Sequence, residues 1–91
     1  MESFRHGPFQ LGRVVSTPGA LESIGQHMLA GLARHARGDW GDVDAEDKQA
    51  NDDSMKNGGR LLSVYKHEET KYWIITEADR SVTTVLLPDE Y

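Results

Sequence analysis

Arg60-Leu61-Leu62-Ser63-Val64-Tyr65-Lys66, then Lys71-Tyr72-Trp73-Ile74-Ile75-Thr76-Glu77, then Ser81-Val82-Thr83-Thr84-Val85-Leu86-Leu87 close the chain. Each run is rich in β-branched and aromatic residues, which favour a pleated, half-buried strand. The connections His67-Glu68-Glu69-Thr70 and Ala78-Asp79-Arg80 are of hairpin length. Three antiparallel strands in a meander are the reading that follows. Alternation places Leu62, Val64, Trp73, Ile75, Val85 and Leu87 on one side. Tyr72, Ile74 and Thr76 fall on the other, and Ile74 there implies that this side is partly covered too.

Before the meander the period changes. Apolar residues fall at Leu21, Ile24, Met28, Leu29, Leu32, Ala33 and Ala36, the stripe of an amphipathic helix. Thr17 suits the cap and Pro18 the first helical position, where a missing N–H costs nothing. Gly25 allows one helix or two across residues 18–37. Gly38 ends the run, with Arg34, His35 and Arg37 in the last turn, where positive charge suits the helix dipole. Asp44 then caps a polar helix from Ala45 to about Lys56, with Ala50 and Met55 as its few apolar contacts and Asn57-Gly58-Gly59 as its end. Leu11 to Ser16 reads as a short strand. The expected fold class is α+β: one short N-terminal strand, two or three helices, then a three-stranded antiparallel meander packed on the helices. Residues 1–10 read as a loosely ordered arm and 11–91 as a single domain. Trp40, Trp73, Leu21, Leu29, Leu32, Leu62, Ile75 and Val85 are the expected core.

The chain has 91 residues, which closes one small core. No apolar run approaches the roughly 20 residues that span a bilayer, and no apolar leader is read at the start, so a membrane partner is not expected. There is no cysteine, which removes disulfides, thiolate metal sites and Cys nucleophiles and suits a cytoplasmic setting. The net charge of −5 is uneven. Asp39, Asp42, Asp44, Glu46, Asp47, Asp52 and Asp53 face Lys48 alone, so residues 39–53 carry −6 and the rest is nearly neutral. A whole-chain basic field is absent, so direct nucleic-acid binding is not expected. A compact acidic face instead suits a partner protein with a basic surface.

Gly38-Asp39-Trp40-Gly41-Asp42-Val43-Asp44-Ala45-Glu46-Asp47-Lys48, Asn51-Asp52, Arg60-Leu61-Leu62-Ser63, Trp73 to Ser81 and Leu86-Leu87-Pro88-Asp89-Glu90-Tyr91 resemble a family of small proteins. They are encoded on proteobacterial plasmids, prophages and integrative elements. The family is commonly labelled "plasmid-related protein", or type I restriction endonuclease subunit M without methylase motifs. The resemblance runs over residues 11–91. It implies a mobile-element setting and a bacterial cytoplasm, and no particular reaction.

Several strings invite chemistry. Asp42 to Asp53 spaces carboxylates as a calcium loop does, but position six is Asp47 instead of the required glycine. His6, His27, His35 and His67 lack a two-His spacing with a nearby carboxylate, so neither metal nor cofactor is expected. Trp40 between two glycines is either a core plug with Asp39 tying down the turn, or an exposed anchor for a partner. The partner-binding set is therefore Asp39, Trp40, Asp42, Asp44, Glu46, Asp47, Asp52 and Asp53. An interaction protein of a mobile element is the first functional reading, with counter-defence against a CRISPR effector or restriction enzyme as its most specific form. The alternative is a small metal-independent ribonuclease, since helices followed by an antiparallel sheet are similar in order to barnase- and RelE-type toxins. That similarity implies His35 or Glu77 as base, Arg60 and Arg80 as phosphate clamp, and Tyr65 and Thr84 as substrate contacts.

Overall fold

The computed structural model describes residues 8–91. Strand β1 (Arg13–Ser16) leads into helices α1 (Pro18–Ile24), α2 (His27–Ala36) and α3 (Ala45–Asn57). Strands β2 (Leu61–His67), β3 (Thr70–Thr76) and β4 (Val82–Leu86) follow, and a 3-10 turn spans Pro88–Glu90. The helical region 18–37 is two helices, broken at Gly25, whose φ of 51° no helix tolerates. Thr17 caps α1 by accepting from the Ala20 N–H at 3.1 Å, and Asp44 caps α3 by accepting from the Asp47 N–H at 2.8 Å.

The sheet has four strands in the order β1-β4-β3-β2. β2, β3 and β4 form the antiparallel meander. β1 joins the far edge, parallel to β4, with Arg13 opposite Val82 and Ser16 opposite Val85. Helix α1 contacts β3 and β4, α2 contacts β2 and β3, and α3 contacts β2. The fold is thus α1 and α2 on one face of a mixed sheet with α3 along the outer edge of β2, an α+β architecture.

Which sheet face meets the helices differs from the expectation. Directly opposed residues share a face, and the register pairs Leu61 with Thr76, Ser63 with Ile74, Tyr65 with Tyr72, and Ile74 with Val85. This set lies under the helices and is buried. Leu62, Val64, Trp73 and Ile75 turn to the face away from α1 and α2, where Ile75 and Leu86 are still buried and Leu62, Val64 and Trp73 are half-buried, and Trp73 pairs with Leu86, not with Val85. Trp73, Leu62 and Ile75 therefore do not join Trp40 in one core, whereas Leu32 and Val85 do.

The helical stripe is rotated in the same sense. Leu21 and Leu29 are 60% and 61% exposed. Ala20, Ile24, Gly31, Leu32, His35 and Ala36 face the sheet instead. Gly31 is required there because a Cβ would press on the Tyr72 ring. Residues 1–7 of the expected arm lie outside the described residues. Phe9, near its end, and Leu11, the first residue after it, are buried members of the core, with the Phe9 ring 6.0 Å from Trp40 and 5.4 Å from His35.

Candidate functional site

Gly38-Asp39-Trp40-Gly41 is a folding device. Gly38 and Gly41 hold φ of 84° and 74°. A Cβ on Gly41 would strike the Val64 carbonyl and the Tyr65 ring. The close approach lets Asp42 N–H donate to the Val64 carbonyl at 2.7 Å, while Val64 N–H donates to the Trp40 carbonyl at 3.0 Å. Asp39 takes a bidentate bond from Arg34, at 2.8 and 3.1 Å, and accepts from Gly41 N–H. The Arg34 hydrogen bond holds the Asp39 carboxyl below its usual range. Trp40 keeps only 6% of its surface. The core-plug reading holds, and Trp40 is not an exposed partner anchor.

Helix α3 presents the rest of the acidic segment. Its buried contact is Asn51 rather than Ala50, which is exposed. Ser54 and Met55 are half-buried beside it, while Asp42, Asp44, Glu46, Asp47, Asp52 and Asp53 are all exposed. Among the described residues the ion pairs are Arg34–Asp39 and Arg60–Glu77, and the His67 ring lies 3.8 Å from the Glu68 carboxylate. None engages the carboxylates of α3. Asp44 has its oxygen on the helix cap, and Asp53 accepts from Gln49 at 3.0 Å.

The proposed nuclease residues separate. His35 has no exposed surface. Its ring nitrogens bond Ser63 Oγ at 2.5 Å and Thr76 Oγ1 at 2.8 Å. Thr76 bonds Thr83 at 2.7 Å, and Thr83 donates to the Leu11 carbonyl at 2.7 Å. A carbonyl only accepts, so the direction is fixed as far as His35 Nε2, and the neutral ring that burial enforces leaves Nδ1 as an acceptor for Ser63. Thr76 donates to Thr83, His35 Nε2–H donates to Thr76, and Ser63 donates to Nδ1. His35 is the neutral Nε2–H tautomer, and desolvation, aided by the Arg80 charge, pushes its pKa down to about 4. The Ser63–His35 pair has the look of a nucleophile and base, but both are fully buried and reach no substrate.

Arg80 is equally occupied. Its guanidinium donates to the carbonyls of Gly59 at 2.6 Å, Ala78 at 3.1 Å, Glu77 at 3.2 Å and Ser54 at 3.0 Å. It stitches the β3–β4 turn to the end of α3. Tyr65 is buried and donates to the Asp39 carbonyl at 2.5 Å, and burial pushes its phenol upward.

Arg60 and Glu77 do meet, at 3.0 Å, but on the face away from α1 and α2. Arg60 also donates to Tyr91 Oη at 2.6 Å. Arg60, Leu62, Trp73, Ile75 and Tyr91 line a cavity of about 260 Å³ there, and Thr84 belongs to the same face through its pairing with Ile75. The cavity was not legible from the sequence, because it depends on which face the helices leave bare. Among the described residues no cluster of His, Asp and Glu is disposed to hold a metal ion, and no helix is long and apolar enough to cross a membrane. No protein-family model, curated protein or solved structure matches the chain.

Proposed function

We propose that this chain is a small protein-binding module that offers its acidic helix to a basic partner surface. The observation that carries the reading is the charge on α3. Its exposed carboxylates take no lysine or arginine partner among the described residues. From the Asp44 cap to Asp53 is nine residues, so at roughly 1.5 Å per residue the acids run along about 14 Å. A charge row of that length imitates a stretch of phosphates and speeds encounter with a nucleic-acid-binding groove by electrostatic steering. Counter-defence on a mobile element, by occupying such a groove in a CRISPR effector or restriction enzyme, is the specific form. The burial of His35 and the internal engagement of Arg80 disfavour the ribonuclease alternative.

The test is phage plating on bacteria that carry a restriction or CRISPR system, with and without the chain expressed. Protection is expected, with loss of protection in the Asp47→Asn/Asp52→Asn/Asp53→Asn variant. Asp44 is left intact because its substitution would also uncap the helix. Protection that survives the triple change would sink the reading, as would growth arrest by the chain alone accompanied by RNA cleavage.

A further inference from the structure

The sheet face turned away from the helices has a chemistry unlike the rest of the molecule. Leu62, Val64, Trp73 and Ile75 run along it. The register sets Lys66 directly beside Lys71 at the hairpin end. Arg60 and Arg13 lie at the other end, Arg13 in the row of Val82. Glu77 stands at the Arg60 end of the face, held by Arg60, and Glu68 and Glu69 form the exposed hairpin tip next to Lys66 and Lys71. Asp89 and Glu90 adjoin Tyr91, and Glu90 accepts from Thr17 and Leu87 N–H. Like charges directly opposed destabilise a sheet, so the exposed Lys66–Lys71 pair does not serve the fold. Trp73 is half-buried and Tyr91 exposed, their ring centroids 5.7 Å apart. Together they wall the 260 Å³ cavity floored by Leu62 and Ile75.

We propose that this open face binds single-stranded nucleic acid, with bases stacked on Trp73 and Tyr91 and phosphates held by Lys66, Lys71 and Arg13. Aromatic rings on a sheet with flanking cations are the means by which proteins hold unpaired strands, since every base has a face to stack. From the Arg60 row to the Lys66 row is six residues, about 20 Å at roughly 3.3 Å each, room for a few nucleotides. The negative net charge does not forbid this. It resides in residues 39–53 on α3 and the turn before it, and salt screens charges beyond about 8–10 Å. The proposal concerns a different face from the acidic helix and stands apart from the protein-binding reading.

Fluorescence anisotropy of labelled octathymidylate and octauridylate decides the matter, titrated with the full chain at about 50 and about 200 mM salt. Saturable binding that weakens with salt is expected, with weaker binding of a duplex. Lys66→Ala/Lys71→Ala alters two exposed side chains and leaves the fold intact. It is expected to weaken binding and to lower the salt slope by about 1.4, or roughly 0.7 per phosphate contact. Trp73→Ala is expected to lose on the order of tenfold in affinity, with Trp73→Phe retaining most of it. Absence of binding at the highest soluble concentration overturns the proposal, as does binding indifferent to the lysine pair. Equal competition by an oligoglutamate peptide reassigns the face to an acidic protein and overturns it too. So does salt-sensitive self-association abolished by Asp47→Asn/Asp52→Asn/Asp53→Asn, which would make the occupant a second copy.

Discussion

The Asn51 side chain pairs with the backbone of Leu62 in both directions. Its Nδ2 donates to the Leu62 carbonyl at 2.7 Å, and its Oδ1 accepts from the Leu62 N–H at 2.9 Å. One amide side chain thus does for the outer edge of β2 what a neighbouring strand would do, and the Trp40–Asp42 segment does the same for Val64 two residues on. An open strand edge invites pairing with other chains, so α3 and the turn before it close this one.

Asn51→Leu is expected to destabilise the fold by about 2–4 kcal/mol. It removes the partners of two backbone groups in a buried setting, each worth roughly 1–3 kcal/mol when left unsatisfied. Asn51→Asp should be comparably harmful, because a carboxylate cannot donate to the Leu62 carbonyl. Urea unfolding measures both. A loss below about 0.5 kcal/mol in either variant would show that water replaces the amide at no cost.

Trp40→Ala is expected to cost about 3–5 kcal/mol, the usual penalty for deleting a large buried aromatic. Phe9 and His35 both pack against its ring. In a domain of this size each kcal/mol moves the melting temperature by roughly 4–8 °C. Leu29→Ala, on the same helical layer but exposed, should stay within about 0.5 kcal/mol. Thermal unfolding of the two variants side by side checks the orientation of the helices, and equal shifts would contradict it.

The contrast between Trp40 and Leu29 shows what was readable in the chain. Local signals settled most elements: Thr17 with Pro18, Gly38, the Asp44 cap and the three strand runs sit where expected, while the choice between one helix and two at Gly25 stayed open until the fold decided it. The face of the sheet was not readable, because both alternating sets carry large apolar residues. Leu62, Val64, Trp73 and Ile75 look more core-like than Leu61, Ser63, Tyr65 and Thr76. The covered face accepts Ser63, Thr76, Thr83 and His35 only because they satisfy one another's hydrogen bonds, a cooperation among distant positions that no local pattern reports. The same blindness hid the cavity at Trp73 and Tyr91 and made His35 look available for chemistry. The four-residue β1 reached its parallel pairing with β4 through contacts equally remote in sequence.

His35 makes stability pH-dependent. Its pKa is about 4 in the folded chain against 6.5 for an unperturbed imidazole. Above pH 6.5 both states hold it neutral and it contributes no pH dependence. As pH falls through that value the unfolded chain takes up a proton that the native chain refuses, so stability declines. The decline continues to about pH 4 and amounts to roughly 3 kcal/mol. The ring resonances of His35 should stay unmoved in NMR spectra between pH 7.5 and 5, while unfolding midpoints fall over the lower part of that range. Titration of His35 near pH 6.5 in the folded chain would refute the buried, neutral assignment.

Arg80 combines a left-handed backbone, φ 62°, with a guanidinium that binds four carbonyls. Two substitutions separate these features. Arg80→Ala loses the guanidinium bonds and keeps a Cβ in a conformation that costs an L-residue roughly 1 kcal/mol. Arg80→Gly loses the same bonds and relieves that backbone cost. Both are expected to destabilise, since the ends of α3 and the β3–β4 turn lose their shared tie, but Arg80→Gly should be the more stable of the two by about 1 kcal/mol. Urea midpoints of the pair measure the difference. If neither change alters stability, the guanidinium is free in solution and the phosphate-clamp role returns. If Ala and Gly are equally harmful, the left-handed turn relaxes once the side chain is gone.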